Sequence, residues 1–365
     1  MMRIAHILWD AQLGGIQKVV LDLCRAQAAS GEVDPVVIFA KALGPLLGEF
    51  RTSGAKVHTL SIRSGYDMRP SNYSRLLSLL RETDAIHMHS YNPFIARTAV
   101  RSGIPVVYTE HGNFGFGRPL RAGERVNQWL QRRFLNSHVA LITFNSEFSA
   151  TVARERYGLE HVRSRIIPNG VDLDEVRIQA ESGENQNKDG FVIGTTSRLA
   201  GGKRVLRLME AFREFSKHPD TSLLIIGDGP ERAMLEAFAA QHGLQGRIHF
   251  TGALNKPAVM QKGMDLCIYP FFNEAFGLVV VETYSLGKPA LVFSDSGGLA
   301  EIVQGVSPED VCPDIQHLIR RMEYWYNERS ALTEFSDKAR VYAGRYSIER
   351  MHIALLQAYQ DALSD

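Results

Sequence analysis

Along nearly all of this 365-residue chain, short apolar runs alternate with amphipathic stretches, and that rhythm narrows the fold more than any other feature. Runs of four to eight apolar residues, each followed by a helical period, are the pattern of parallel strands joined by crossover helices. In the first half the candidate strands are Arg3 to Leu8, Pro35 to Phe39, Val57 to Leu60, Ala85 to His89, Pro105 to Thr109 and Val139 to Phe144. The second half repeats the rhythm at Phe191 to Thr195, Ser222 to Ile226, Arg247 to Thr251, Leu266 to Tyr269 and Ala290 to Phe293. Between them, Ile166-Ile167-Pro168-Asn169-Gly170-Val171-Asp172 breaks a short strand with Pro and an Asn-Gly turn, and the polar stretch Gln179 to Gly190 has linker composition. The chain is also long for a single core. The expectation is an α/β protein with two doubly wound parallel sheets: domain one at 1–170, domain two at 171–345 and a last helix at 346–365.

Composition excludes several classes. A formal net charge of +1 gives no global signal for nucleic acid. Cys24, Cys267 and Cys312 are the only cysteines, odd in number and unpaired in spacing, so neither a disulfide framework nor a zinc site is expected. No apolar run is long enough to span a bilayer, and Met1-Met2-Arg3 leads directly into a strand-like run rather than a signal peptide. A cytoplasmic location is expected.

The polar residues cluster where strands end. After the run Met264 to Tyr269, Pro270 and Asn273 stop the strand, so Glu274 falls in a loop. Ala275, Phe276, Gly277 and Leu278 lead into a helix extending to Leu286, with Glu282 one to two turns on. Backbone N–H groups at such a helix start suit a phosphate or a sugar hydroxyl; alternatively, Glu274 is a helix-start carboxylate and Glu282 a surface charge. Ser197-Arg198-Leu199-Ala200-Gly201-Gly202-Lys203 leaves another strand, and its Arg198 and Lys203 could neutralise a diphosphate or simply be solvated cations. Gly227-Asp228-Gly229-Pro230 and Thr251-Gly252 end two more strands, each readable as a turn, on the carboxyl edge where open α/β sheets bind ligands. In the first half, Gly14-Gly15 precedes a helix without the third glycine of a dinucleotide fingerprint, and His111 ends a strand. Asp295-Ser296-Gly297-Gly298-Leu299-Ala300-Glu301 is a further glycine turn.

Taken in order along residues 3 to 305, these segments resemble the retaining, nucleotide-sugar-dependent glycosyltransferases of family four, and the ordered set is more specific than any member. The resemblance implies the GT-B fold, two Rossmann-like domains facing across a cleft, with the acceptor on domain one and the nucleotide sugar on domain two. It implies that Glu274 holds the donor sugar and Glu282 the ribose, that Arg198 and Lys203 bind the diphosphate, and that Gly14 and Gly15 contact donor phosphate and acceptor. His111 would face the transferred sugar. Gly227, Gly252 and the Ala275 to Leu278 backbone would complete the nucleotide site. No cofactor and no metal are expected; the UDP- or GDP-linked sugar is a substrate, and the cations stand in for a divalent ion. The acceptor would be a sugar, a glycolipid or another small molecule. The same fold could also serve a nucleotide-sugar epimerase or hydrolase, or a silent partner subunit. After Val303 the chain is abbreviated relative to the family, which leaves the edge of the second sheet open. Helices are expected at Ile315 to Asn327, Ser330 to Ala343 and Ser347 to Leu363, the last crossing back to domain one.

From Arg118 to Leu135 the periodicity predicts an amphipathic helix, with Val126, Trp129, Leu130 and Phe134 on one face and Arg121, Arg125 and Arg132 on another. This is either an ordinary domain helix or, with Phe114 and Phe116 before it, a peripheral contact for a membrane surface.

Overall fold

A computed structural model describes the chain except residues 65, 68, 113–119, 160, 184–189 and 365. It divides into two compact units, Met1–Gly170 with Ile348–Asp365, and Val171–Ser347.

The first unit runs β1 (Met2–Leu8), α1 (Gly15–Ser30), β2 (Val33–Phe39), α2 (Leu47–Thr52), β3 (Lys56–Thr59), α3 (Pro70–Arg81), β4 (Ala85–Met88), α4 (Pro93–Ser102), β5 (Val106–Glu110), α5 (Ala122–His138), β6 (Leu141–Phe144), α6 (Glu147–Tyr157) and β7 (Ser164–Ile166). Its sheet order is β3-β2-β1-β4-β5-β6-β7, with every pair parallel. The second unit runs α7 (Leu173–Glu181), β8 (Phe191–Thr196), α8 (Val205–Phe215), β9 (Thr221–Ile226), α9 (Arg232–Gln241), β10 (Ile248–Gly252), α10 (Ala258–Gln261), β11 (Leu266–Tyr269), α11 (Leu278–Ser285), β12 (Ala290–Phe293), α12 (Gly298–Gln304), β13 (Val311–Cys312), α13 (Ile315–Asn327) and α14 (Ala331–Ala343). Its sheet order is β10-β9-β8-β11-β12-β13, again parallel throughout. The last helix, α15 (Ile348–Leu363), packs on α1, β4 and β5 in the first unit.

Local chemistry accounts for the element ends. Asn92 caps α4 by accepting from the Phe94 and Ile95 amides, Pro93 supplies the first helical φ, and Gly103 ends the helix left-handed. Such a cap is worth about 1 kcal/mol. Asp172 caps α7 on the Glu175 amide, so the stretch expected to be linker from Gln179 begins as the last turn of a helix; 184–189 lie outside the described residues. The second sheet closes on a two-residue edge strand, β13, paired with β12, which supplies the edge that the sequence left open.

The two faces of the first sheet differ. Ile86, Met88, Val106, Tyr108, Ile142 and Phe144 point into one apolar core. Side chains of a strand alternate faces, and the register pairs His6 with His87 and Thr109 with Thr143. His6, His87, His89, Thr109 and Thr143 therefore line the opposite face, beneath α1 and α15, where Gln27 and Tyr359 meet them. A fully covered parallel sheet ordinarily shows near-continuous apolar strands; this polar seam departs from that rule.

Candidate functional site

In the second unit, β8 and β11 are neighbours in the sheet from which the chain winds in opposite directions, outward to β9 and β10 and outward to β12 and β13. Loops leaving such a pair diverge and open a crevice at the strands' carboxyl ends. The loop after β8 carries Arg198 to Arg204, and the loop after β11 carries Pro270 to Gly277.

These two loops are joined by charge. Lys203 Nζ lies 2.6 Å from Glu274 Oε2 and 4.0 Å from the Phe271 ring centre. Arg204 donates to both Asp295 carboxylate oxygens at 3.0 and 2.8 Å and lies 4.1 Å over the Phe272 ring. The loop after β12 is zipped on by backbone bonds, Asn273 N–H to the Asp295 carbonyl and Gly298 N–H to the Glu274 carbonyl, with Ser296 Oγ donating to the Phe271 carbonyl.

Arg204 at φ 47° and Asn273 at φ 49° are the only non-glycine residues with positive φ among those described, and they adjoin Lys203 and Glu274 respectively. A left-handed residue costs about 1–2 kcal/mol, less for Asn. Such strain persists only where surrounding structure enforces it, and it concentrates at functional positions.

The remaining loop is built on close backbone approach. Ser197 N–H bonds the Ile226 carbonyl, Leu199 N–H the Asp228 carbonyl and Gly227 N–H the Gly252 carbonyl. A Cβ on Gly227, whose φ is 139°, would stand 1.8 Å from the Ser197 carbonyl oxygen. Only glycine fits there. Gly252 is likewise left-handed at φ 76°.

The structure thus brings Lys203 and Glu274 into contact and sets Gly227 and Gly252 side by side on the same edge. Arg198 is exposed on the β8 loop. Ala275 and Phe276 turn inward, Phe276 against Tyr346, so only their backbone could meet a ligand. Gly277 caps α11, which begins at Leu278 and carries Glu282 in its second turn. Sequence reasoning missed Arg204 and the aromatic pair Phe271–Phe272 as parts of the site, and noticed the turn that begins at Asp295 without its ion pair to Arg204. Nothing in the spacing separates Arg204 from its neighbour Lys203, whereas Asn273 carried a usable signal because Asn tolerates the left-handed region.

In the first unit, the Gly14–Gly15 pair begins α1; Gly14 is extended, and no side chain caps the helix or places an acid in its first turn. His111 follows β5, its Nδ1 buried without a hydrogen-bond partner among the described residues. Burial holds its imidazole down at about 4, and raises the adjacent Glu110 carboxyl to about 7 despite the Gly112 N–H bonded to it. His6, His87 and His89 are close enough together to hold a metal ion. Yet each of their ring nitrogens already has a protein partner: Gln27 and His89 for His6, Tyr359 and Thr109 for His87, His6 and His111 for His89.

The helix α5 covers only half of its apolar stripe. Phe134 and Leu135 are buried, but Val126 and Trp129 remain 54% and 57% exposed. A cavity of about 670 Å³ lies between α3, α4 and α5, lined by Tyr73, Tyr91, Phe94, Leu130 and Phe134. Arg97, Arg101 and Arg133 also line it, without an ion-pair partner among the described residues. Phe114, Phe116 and Arg118 lie outside the described residues. Among those described, no helix is long and apolar enough to cross a membrane.

Comparison with known proteins gives two family matches, Glycosyltransferase Family 4 over residues 13–175 and Glycosyl transferases group 1 over residues 177–342. The chain is 30% identical to the 2-deoxystreptamine glucosyltransferase of Streptomyces kanamyceticus over 56% of its own length and 57% of that protein. It is 27% identical to the UDP-Gal:alpha-D-GlcNAc-diphosphoundecaprenol alpha-1,3-galactosyltransferase of Escherichia coli over 81% of this chain and 80% of the relative. The structure of Anabaena Alr3699/HepE in complex with UDP superimposes with a TM-score of 0.78 at 18% identity, covering 98% of this chain and 100% of that one.

Proposed function

The chain belongs to glycosyltransferase family 4, with GT-B architecture, and from that premise we propose that it transfers a sugar, with retention at the anomeric carbon, from a nucleoside diphosphate sugar to an acceptor hydroxyl. The observation that carries this reading is the Lys203–Glu274 contact at the switch point, with the only two non-glycine left-handed residues described beside it. It pairs a cation for the diphosphate with a carboxylate for sugar hydroxyls.

In this reading the second unit holds the donor. Lys203, Arg198 and the backbone after Glu274 meet the negative charge that builds on the leaving phosphate. Glu274 positions the sugar, Glu282 binds the ribose, and the Gly227 and Gly252 loops line the nucleotide. The glycosidic C1–O bond to phosphate breaks, the C1–O bond to the acceptor forms on the same face, and the acceptor's proton passes to the departing phosphate oxygen. No divalent ion is required, because fixed cations supply the charge. The first unit receives the acceptor, with Gly14 and Gly15 at the phosphate side and His111 at the transferred sugar. The galactosyltransferase and HepE, named for or solved with UDP, support UDP as the nucleotide of the donor.

The acceptor we propose is an anionic, lipid-linked sugar reached at the cytoplasmic membrane face. Exposed Val126 and Trp129 and the arginine-lined cavity beside α5 support it, since clustered cations draw acidic headgroups and the cavity suits an apolar chain. Proton NMR of the product from an α-linked UDP-sugar, formed in EDTA, tests the chemistry. An α-linked product is expected; inversion, or loss of activity on chelation, overturns the mechanism.

A further inference from the structure

The polar seam of the first sheet is a chain of aligned rings. Gln27 Oε1 lies 2.8 Å from His6 Nε2, His6 Nδ1 lies 3.1 Å from His89 Nε2, and His89 Nδ1 lies 3.1 Å from His111 Nε2. It starts at α1 and crosses β1 and β4 to the carboxyl end of β5. The β1–β4 junction is where this sheet changes its winding direction, the place at which α/β ligands bind.

With the Gln27 oxygen towards His6, hydrogen-bond logic sets the seam's polarity. An amide oxygen only accepts, so His6 carries its proton on Nε2. A neutral imidazole has one donor, so His6 Nδ1 accepts and His89 Nε2 donates. His89 Nδ1 then accepts from His111 Nε2–H, leaving a bare lone pair on His111 Nδ1, a buried atom without a partner among the described residues. Turning the Gln27 amide over would reverse every donor and make His111 Nδ1 an N–H. In the structure the Gln27 oxygen faces His6, and its NH2 is buried without a hydrogen-bond partner among the described residues. Full burial holds His6, His87 and His89 neutral, as the one-donor logic requires.

We propose that Gln27, through His6 and His89, sets the tautomer of His111 so that its Nδ1 is a hydrogen-bond acceptor for a ligand hydroxyl. Gln27, His6 and His89 are positioning residues. The identity of the hydroxyl as one of the transferred sugar rests on the function proposed above, but the tautomer does not.

Long-range proton–nitrogen NMR on the full-length, histidine-labelled protein at neutral pH reads the tautomer directly, with His111 assigned from a His111→Asn difference spectrum. The expected result is a neutral His111 protonated on Nε2. A proton on Nδ1, or a charged ring, overturns the proposal without reference to any variant. Gln27→Leu should release His111 to a mixture of tautomers, while Gln27→Glu, whose carboxylate also accepts, should restore the Nε2–H form. An unchanged tautomer in a folded Gln27→Leu protein overturns the relay. If the sugar contact holds, kcat in Gln27→Leu falls at least about twofold, the effect of an even mixture, with UDP affinity unchanged. A tautomer shift with unchanged kcat retains the relay and removes only the sugar contact.

Discussion

Lys203 and Glu274, 71 positions apart in the chain, meet at 2.6 Å because β8 and β11 are adjacent strands whose loops leave the sheet at its switch point. Their side chains remain 25% and 41% exposed. A pair that open to solvent contributes about 0–1 kcal/mol to stability, far too little to account for a site that also enforces two left-handed residues. The contact therefore stores the two side chains in position for a ligand more than it holds the fold. Lys203→Ala should leave the thermal melting of the free protein within a few degrees of wild type while lowering turnover about 10²- to 10³-fold, as for loss of a group stabilising developing oxyanion charge. Near-wild-type turnover would place the diphosphate elsewhere. Glu274→Ala should reduce kcat while UDP still binds, which a UDP thermal shift alongside a rate measurement separates.

The Gly227 loop yields a backbone prediction. Its φ of 139° and the 1.8 Å approach of a would-be Cβ to the Ser197 carbonyl leave no room for any side chain. The clash is with backbone, so the β8 and β9 loops must part. Gly227→Ala should destabilise the protein by about 2 kcal/mol or more and weaken UDP binding, whereas Gly202→Ala, whose Cβ would meet open space five residues after Ser197 in the β8 loop, should leave stability unchanged. Equal UDP affinity in wild type and a folded Gly227→Ala protein would remove this loop from the nucleotide site.

Much of this was legible in the sequence because parallel α/β architecture writes itself as alternation. The expected strands from Arg3 to Leu8 and from Phe191 to Thr195 coincide with β1 and β8 to within one or two residues. Less visible were features that depend on which strands become neighbours. Lys203 and Glu274 each drew notice from local pattern, but their contact follows from sheet order. Arg204 pairs with Asp295 through the same order, and no local rule prefers it to Lys203. The histidine seam was hidden for a further reason: His6, His87 and His89 look like isolated polar interruptions of buried strands until register and alternation put them on one face. The two-residue β13 is shorter than any periodicity can register.

Titration of the buried seam predicts acid lability. Burial lowers His6 and His111 from 6.5 to about 4 and holds His87 and His89 well below the ordinary range. Unfolding exposes four rings that take up protons below about pH 6.5, so this stability is present above that pH and is lost as pH falls towards 4. Glu110 works the other way: raised from 4.5 to about 7, its contribution is present below 4.5 and lost as pH rises through 7. Near pH 5.5 four histidines outweigh one carboxyl, so the unfolded chain binds more protons than the folded one and stability falls as the pH falls. Urea unfolding between pH 7.5 and 5 should show a steep fall in stability, reduced in a His89→Gln variant that still folds. A flat profile over that range would mean the rings titrate normally and are not buried together.

The last prediction concerns α5. An ordinary packing helix would cover its apolar stripe, yet Val126 and Trp129 lie open while Phe134 and Leu135 are buried one to three turns on. Arg133 on the same helix, with Arg97 and Arg101 on α4, lines a mainly apolar cavity that Asp67 also lines, and the three make no ion pair among the described residues. Unpaired guanidinium groups next to exposed indole and valine match an interface with an acidic headgroup above and acyl chains below, where each cation contributes about 1 kcal/mol. Co-sedimentation with liposomes should therefore require anionic lipid and weaken as salt is raised. Arg97→Ser with Arg133→Ser should remove the dependence on lipid charge, and Trp129→Ser should weaken binding at all compositions by removing buried apolar area. Since none of these residues belongs to the Lys203–Glu274 site, turnover on a soluble acceptor should be unaffected in the same variants. Equal recovery of wild type and variants in the unbound fraction would leave α5 as a helix with a solvated face and a soluble acceptor as the better account.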